Sequence, residues 1–210
     1  MLNAIVDLSH FNTVTDFNTV KAAGIVGLIH KATEGLSYTD PAYLSCRAQA
    51  LSAGLMWGAY HFGDDNDGVA QADHFLSVVN PTPTDLLVLD FEQNFAGGKA
   101  IPSMTLAQAE QFVARVESVT GRYPGLYSGS YIKQLLGNSP NAVLANCWFW
   151  LSEYGPNPIV PPAWPTWTMW QYTDGNVGPE PHSVPGIGNC DRDHFNGAIE
   201  NLRQLWGYAD

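Results

Sequence analysis

Asp90 and Glu92 stand two residues apart at the end of the apolar run Leu86-Leu87-Val88-Leu89. Alternate side chains of a strand share a face, so Val88, Asp90 and Glu92 point one way and Leu87, Leu89 and Phe91 the other. The two acidic alpha carbons are then about 6.6 Å apart, at about 3.3 Å per residue. Carboxyl groups held that close resist being ionised together, and one must titrate above its ordinary range. Cleavage of a glycosidic bond needs such a pair. A protonated acid gives its proton to the leaving oxygen, and an ionised partner steadies the oxocarbenium-like transition state. In the ten residues that follow, only Lys99 is available to neutralise them. An Asp-x-Glu at a strand end also serves as a cap or a loop ion pair, so the chemistry depends on what else reaches the same place.

Several other short apolar runs end in polar residues. Asp7 ends Ala4 to Leu8, Lys31 ends Ile25 to Lys31, and His61 ends Leu55 to Phe62. Gln171 lies near the end of Thr166 to Tyr172, and Asp191 closes Ile187 to Asp191. Gly125 to Ser128, which holds Tyr127, and Cys147 to Ser152 read as further strands. Helical segments fall between the earlier strands. One runs from Asp16 to Ala23 before Gly24, and another from Asp40-Pro41 to Gly54, with Asp40 as N-cap. A third spans Gly68 to Val79 and a short one Tyr131 to Leu136. The best signalled helix opens on Thr105 and Gln108 as a capping box, shows Leu106, Ala109, Phe112, Val113 and Val116 on one face, and stops at Gly121. Residues 155–165 carry five prolines and cannot be helical, and 174–185 is a Gly- and Pro-rich loop.

This alternation predicts an α/β fold with a largely parallel sheet. Eight strands suggest a closed, irregular TIM-like β/α barrel with fewer than eight helices, formed as a single domain over residues 1–210. An open doubly wound sheet competes, but no GxGxxG or GxxxxGK[ST] loop follows a strand. In a parallel barrel the C-terminal strand ends meet at one mouth, which would gather Asp7, Asp90, Glu92 and Asp191 there.

Hydrophobic residues make up 45% of the 210 residues and charged ones 14%, a composition able to bury a core. The net charge of −11 disfavours nucleic acid and anionic membranes. There is no apolar stretch of about 20 residues to span a bilayer. The opening residues show neither a basic n-region nor an apolar h-region, so a secretory signal is not expected there. A monomer is expected. The six histidines show no HxH or HExxH spacing and the three cysteines no CxxC, so neither a metal nor a cofactor is anticipated. Ser128 lacks a GxSxG frame. The aromatic set Tyr60, Trp148, Trp150, Trp164, Trp167, Trp170 and Tyr172 suits a saccharide cleft, with one or two meeting sugar and the rest packing.

The chain resembles the glycoside hydrolase family 25 lysozymes, the Chalaropsis-type muramidases. The resemblance runs through Val6-Asp7-Leu8-Ser9-His10, Lys31-Ala32-Thr33-Glu34-Gly35, Gly58-Ala59-Tyr60-His61-Phe62, Leu87 to Glu92, Trp170-Gln171-Tyr172 and Asn189-Cys190-Asp191. It implies a helix-poor β/α barrel that hydrolyses the β-1,4 bond from N-acetylmuramic acid to N-acetylglucosamine in peptidoglycan, acting on the cell wall. It further implies Glu92 as general acid, Asp90 as its partner, Asp7 and Asp191 as the remaining acids, and a retaining outcome. Asp90 either attacks the anomeric carbon or orients the substrate's acetamido group, and strand spacing alone does not decide between retention and inversion. Tyr60, His61, Tyr127, Trp170 and Gln171 are the expected substrate contacts. Two other readings fit the residues: a peptidoglycan-binding barrel without turnover, and a metal-dependent glycan deacetylase using Asp90 and His61.

Overall fold

The computed structural model describes residues 1–208. The barrel strands and helices follow in order as β1 (Leu2–Leu8), α1 (Phe17–Ala22), β2 (Gly27–Glu34), α2 (Tyr43–Ser52), β3 (Met56–Phe62), α3 (Gly68–Val79) and β4 (Leu86–Asp90). Then come α4 (Leu106–Thr120), β5 (Gly125–Ser128), α5 (Ser130–Leu136), β6 (Trp148–Ser152), β7 (Met169–Thr173), β8 (Asp191–Phe195) and α6 (Ile199–Leu205). The boundaries have local causes. Asp16 accepts hydrogen bonds from the Asn18 and Thr19 amides at the start of α1. Thr105 and Gln108 form the reciprocal capping box of α4, which ends at Gly121 with φ +71°. Asp40 caps a turn, accepting from the Ala42 amide at 2.9 Å, and regular helix begins only at Tyr43.

Neighbouring strands from β1 to β7 pair in parallel, and β8 pairs antiparallel with both β7 and β1, closing an eight-stranded barrel. The last strand differs from the sequence expectation. Gly188–Asn189 belongs to a small hairpin with Ser183–Val184, and Gly188 sits at φ +91°. Asp191 therefore opens β8 instead of closing a strand, and antiparallel pairing is what brings it to the mouth: it lies opposite Asp7 in the β1 register. The run Asp-Arg-Asp-His-Phe shows no apolar face, because its inward positions meet the acidic end of the barrel.

Two apolar layers hold the frame. Inside, Ile5, Ile29, Met56, Leu86, Val88, Trp150, Met169 and Phe195 pack together. Outside, Leu87, Leu89 and Phe91 join Phe75, Phe112 and Val113 of α3 and α4. Each fully buried Leu, Ile or Phe is worth about 1.5–3 kcal/mol relative to exposure. The final helix α6, which no sequence signal indicated, closes the far end. Trp206, just beyond it, donates from Nε1 to the Trp57 carbonyl at 2.8 Å. Gly27 leaves room for that indole; a Cβ there would stand 3.3 Å from the ring. Where no helix joins β6 to β7, the proline-rich connector lays Trp164 on Phe149 with ring centroids 4.4 Å apart. Among the described residues no helix is long and apolar enough to cross a membrane, and Cys46, Cys147 and Cys190 are free thiols.

Candidate active site

The inward positions change character toward the C-terminal ends of the parallel strands. Below lie Ile5, Ile29 and Val88; above them stand Asp7, Lys31 and Asp90, one alternation further along β1, β2 and β4. Tyr60 and Phe62 of β3, Tyr127 of β5, Trp150 of β6 and Gln171 of β7 complete the ring. Glu92, just past β4, keeps the inward parity of Asp90. Together with Asp191, Asp174, Tyr154, Ser9 and Phe11 these residues line a cavity of about 330 Å³, within the size range of small-ligand clefts.

A hydrogen-bonded frame fixes its floor. Gln171 Nε2 donates to Asp7 Oδ2 at 2.8 Å. Gln171 Oε1 accepts from Tyr127 at 2.8 Å and from Tyr154 at 2.7 Å. Trp150 Nε1 donates to Asp193 Oδ1 at 2.7 Å, beneath the cavity. Asp7 lies opposite Asp191 in the register of β1 with β8, and Asp193 Oδ2 is buried without a partner among the described residues. Asp90 Oδ1 is buried without a partner among the described residues.

Burial and crowding push these acids upward. Loss of water, then the Asp191 carboxylate, raises Glu92 from its ordinary 4.5 to about 7. Burial and Asp174 bring Asp191 to about 6, against a smaller lowering by Asp7. Asp7 rises through burial and the charges of Asp191 and Asp193. Asp90 rises through burial and Glu92, while Lys31 acts in the opposite sense. Such a set releases its protons as a group, and near neutral pH it holds at least one. A proton donor and carboxylates at the wall of one sugar-sized cleft can perform acid-assisted cleavage of a glycosidic bond.

The profile of glycosyl hydrolases family 25 matches residues 6–180. The chain is 34% identical to "Lysozyme M1" of Streptomyces globisporus over 95% of its own length and 70% of that protein. It is 32% identical to the "N,O-diacetylmuramidase" of Chalaropsis, covering 95% and 96% of the two chains. The chain belongs to glycosyl hydrolases family 25. Its fold agrees with that of the bacterial lysozyme from Streptomyces coelicolor, at a TM-score of 0.85 and 32% identity over 99% of both chains.

This family 25 glycoside hydrolase brings Asp7, Asp90, Glu92, Asp191, Tyr60, Tyr127 and Gln171 to one cavity. It does not bring His61 or Trp170 there. His61 points outward from β3 and is fully buried between Phe75 and Phe112, with centroids 5.8 and 5.0 Å away. Its Nδ1 meets Thr33 Oγ1 at 2.8 Å and its Nε2 meets Gln71 Oε1 at 3.0 Å. Both ring nitrogens are thus engaged on the helix side of the sheet, and a deacetylase centre built on Asp90 and His61 has no geometric basis. Trp170 likewise faces out from β7, packing on Trp167 and His194 and donating from Nε1 to the Glu153 carbonyl at 2.7 Å. Sequence reasoning passed over Phe11, Phe62, Tyr154, Asp174 and Asp193, and named Trp150 only as one of the aromatic set. For Phe62, Trp150 and Asp193 strand parity carried the signal; Phe11, Tyr154 and Asp174 come from loops and had none.

Proposed function

We propose that the chain is a muramidase-type lysozyme that cuts the β-1,4 bond from N-acetylmuramic acid to N-acetylglucosamine in bacterial peptidoglycan, with Glu92 as general acid and Asp90 as its partner carboxylate. The observation that carries this reading is the gathering of Glu92, buried Asp90, Asp7 and Asp191 at the wall of one sugar-sized cavity, where burial and the Asp191 charge push the Glu92 carboxyl upward. The names of the relatives from Streptomyces globisporus and Chalaropsis support the substrate class.

In the first step Glu92 gives its proton to the bridging oxygen as the bond from the anomeric carbon to that oxygen breaks. While Glu92 is neutral, the chief charge opposing ionisation of Asp90 is gone, and Lys31 favours the anion further. Asp90 then faces the positive charge developing at the anomeric carbon. Water adds to that carbon, and its proton returns to Glu92. Asp7 and Asp191 keep the mouth negative, a field that steadies the same cation. Tyr60 shapes the wall, and Gln171 with Tyr127 holds Asp7 in place. The site of action is the cell wall.

Digestion of purified peptidoglycan, reduction of the new ends and mass analysis of the sugars tests the reading. The expected new reducing end is N-acetylmuramic acid. N-acetylglucosamine ends would reassign the bond, and binding without new ends would make the chain a peptidoglycan-binding barrel. Glu92→Gln should lose activity by at least about 10²-fold, the lower range for a general acid, with far-UV circular dichroism retained.

A further inference from the structure

One row of side chains leaves the cavity beside Asp90 and runs out over the rim. Phe62 pairs in register with Asp90. Lys31 Nζ lies 4.8 Å from the centroid of the Phe62 ring and 5.4 Å from that of Tyr38, and Glu34 Oε2 holds it at 2.5 Å. Tyr38 follows with its hydroxyl 3.2 Å from His10 Nδ1, and the His10 ring touches Phe11 in a tilted contact with centroids 4.0 Å apart. Phe11 ends the row at 85% exposure, on the cavity lining.

Folding does not explain this outer end. A phenyl ring left in water contributes no burial, yet its support is elaborate. Asp40, itself buried, accepts both the His10 backbone amide at 3.1 Å and a His10 Nδ1 contact at 2.8 Å through one oxygen. His10 is thereby held in place beside Phe11, its ring tilted by 39° to the phenyl. The apolar C–H face of a pyranose lies well against such a ring, and a ring fixed in advance loses little conformational freedom on binding. Lys31 and the Tyr38 hydroxyl offer polar partners to the hydroxyl and acetamido groups of a sugar laid along the row.

We propose that the Phe62–Lys31–Tyr38–His10–Phe11 row is an additional saccharide subsite, taking a sugar of the glycan strand beyond those flanking the cleaved bond, with Phe11 as its stacking platform. This rests on the muramidase reading and names the part of the substrate that the outer cleft holds.

The test compares Phe11→Ala with the unaltered protein on two peptide-free substrates, a tetrasaccharide of two disaccharide repeats and long glycan strands. The long-to-short ratio of kcat/KM should fall about three- to tenfold, the range of one aromatic contact, and the loss should lie in KM. His10→Ala, which removes the ring beside Phe11, should lower the same ratio by a smaller factor. An unmoved ratio, or a fall carried by kcat alike on both lengths, overturns the subsite. So does a Phe11→Ala effect seen only on peptide-bearing strands, which would make the row a peptide contact. If the unaltered protein cleaves neither substrate, the muramidase reading is what has failed.

Discussion

Gln171 donates from Nε2 to Asp7 Oδ2 at 2.8 Å, and its amide cannot turn round. Its Oε1 accepts from the Tyr127 and Tyr154 hydroxyls, and flipping would turn that oxygen onto the ionised Asp7 carboxylate, an acceptor against an acceptor. Asp7 is therefore always presented with a donor, the one hydrogen bond among its main influences that favours the ionised form.

Replacing that donor should show directly in the pH profile. Gln171→Glu sets a carboxyl against Asp7 and removes the amide hydrogen bond, so the Asp7 carboxyl rises further. Activity that needs an ionised mouth then switches on at higher pH. We expect kcat to fall about ten- to hundredfold, the equivalent of one hydrogen bond to a charged group at about 1.5–3 kcal/mol. The acid limb should move upward. Initial rates from pH 3 to 9 on suspended peptidoglycan check it, and an unmoved acid limb would remove Gln171 from the frame.

Lys31 is the one cation among the residues lining the cavity, facing Asp7, Asp90, Glu92, Asp174 and Asp191. It favours the Asp90 anion, whereas Glu34, its ion-pair partner, opposes it. Lys31→Met should shift the acid limb to higher pH, because a carboxyl without its cation is harder to ionise. Lys31→Arg should restore the limb. Glu34→Gln should move it the other way. Opposite displacements in the two variants would mark an electrostatic role; a uniform drop in rate at every pH would mark only packing.

The carboxyls that serve chemistry should also weaken the fold. Glu92 titrates at about 7 when folded and near 4.5 in its ordinary state. Between those values the native state binds more protons than the unfolded chain, so stability falls as pH rises through that window. Glu92→Gln removes this loss. The variant should match the parent near pH 4 and exceed it at pH 8 by on the order of 1–3 kcal/mol, since a tenfold change in proton affinity is worth about 1.4 kcal/mol and partial access to water reduces the effect. Urea unfolding at the two pH values decides; equal midpoints at pH 8 would contradict a raised Glu92.

Strand parity decided how much of this site could be read from residue order. In β4 the outward Leu87, Leu89 and Phe91 are continuous with the helix layer, so Asp90 and Glu92 had a single possible direction. Tyr60 with His61, and Trp170 with Gln171, are adjacent in their strands, so only one of each pair can look into the barrel. The expectation that both contact substrate conflicts with that alternation. β8 was displaced by four residues at its start because its inner face is acidic, and hydrophobic patterning has nothing to detect there. The helix α6 is seven residues long and its burial depends on Trp206 reaching the far end of the barrel, a contact no local pattern encodes. The frame of seven parallel strands was legible because each is short, apolar and bounded by helix caps or glycine.

His61 gives the sharpest separation of fold from function. It lies on the strand that carries Tyr60, yet burial lowers it to about 4, so it is neutral at working pH and joins Thr33 to Gln71. His61→Phe keeps the ring between Phe75 and Phe112 and takes the His61 partner from the Thr33 hydroxyl, while Gln71 Oε1 keeps its bond from the Asp64 amide. One buried unsatisfied polar group costs about 1–3 kcal/mol, so the variant should unfold at clearly lower denaturant. Its specific activity, corrected for the folded fraction, should stay within about twofold of the parent, because side-chain losses of the size seen at catalytic groups arise at the reacting atoms. A fall of about 10²-fold with an unchanged unfolding midpoint would return His61 to the active site and refute the outward placement.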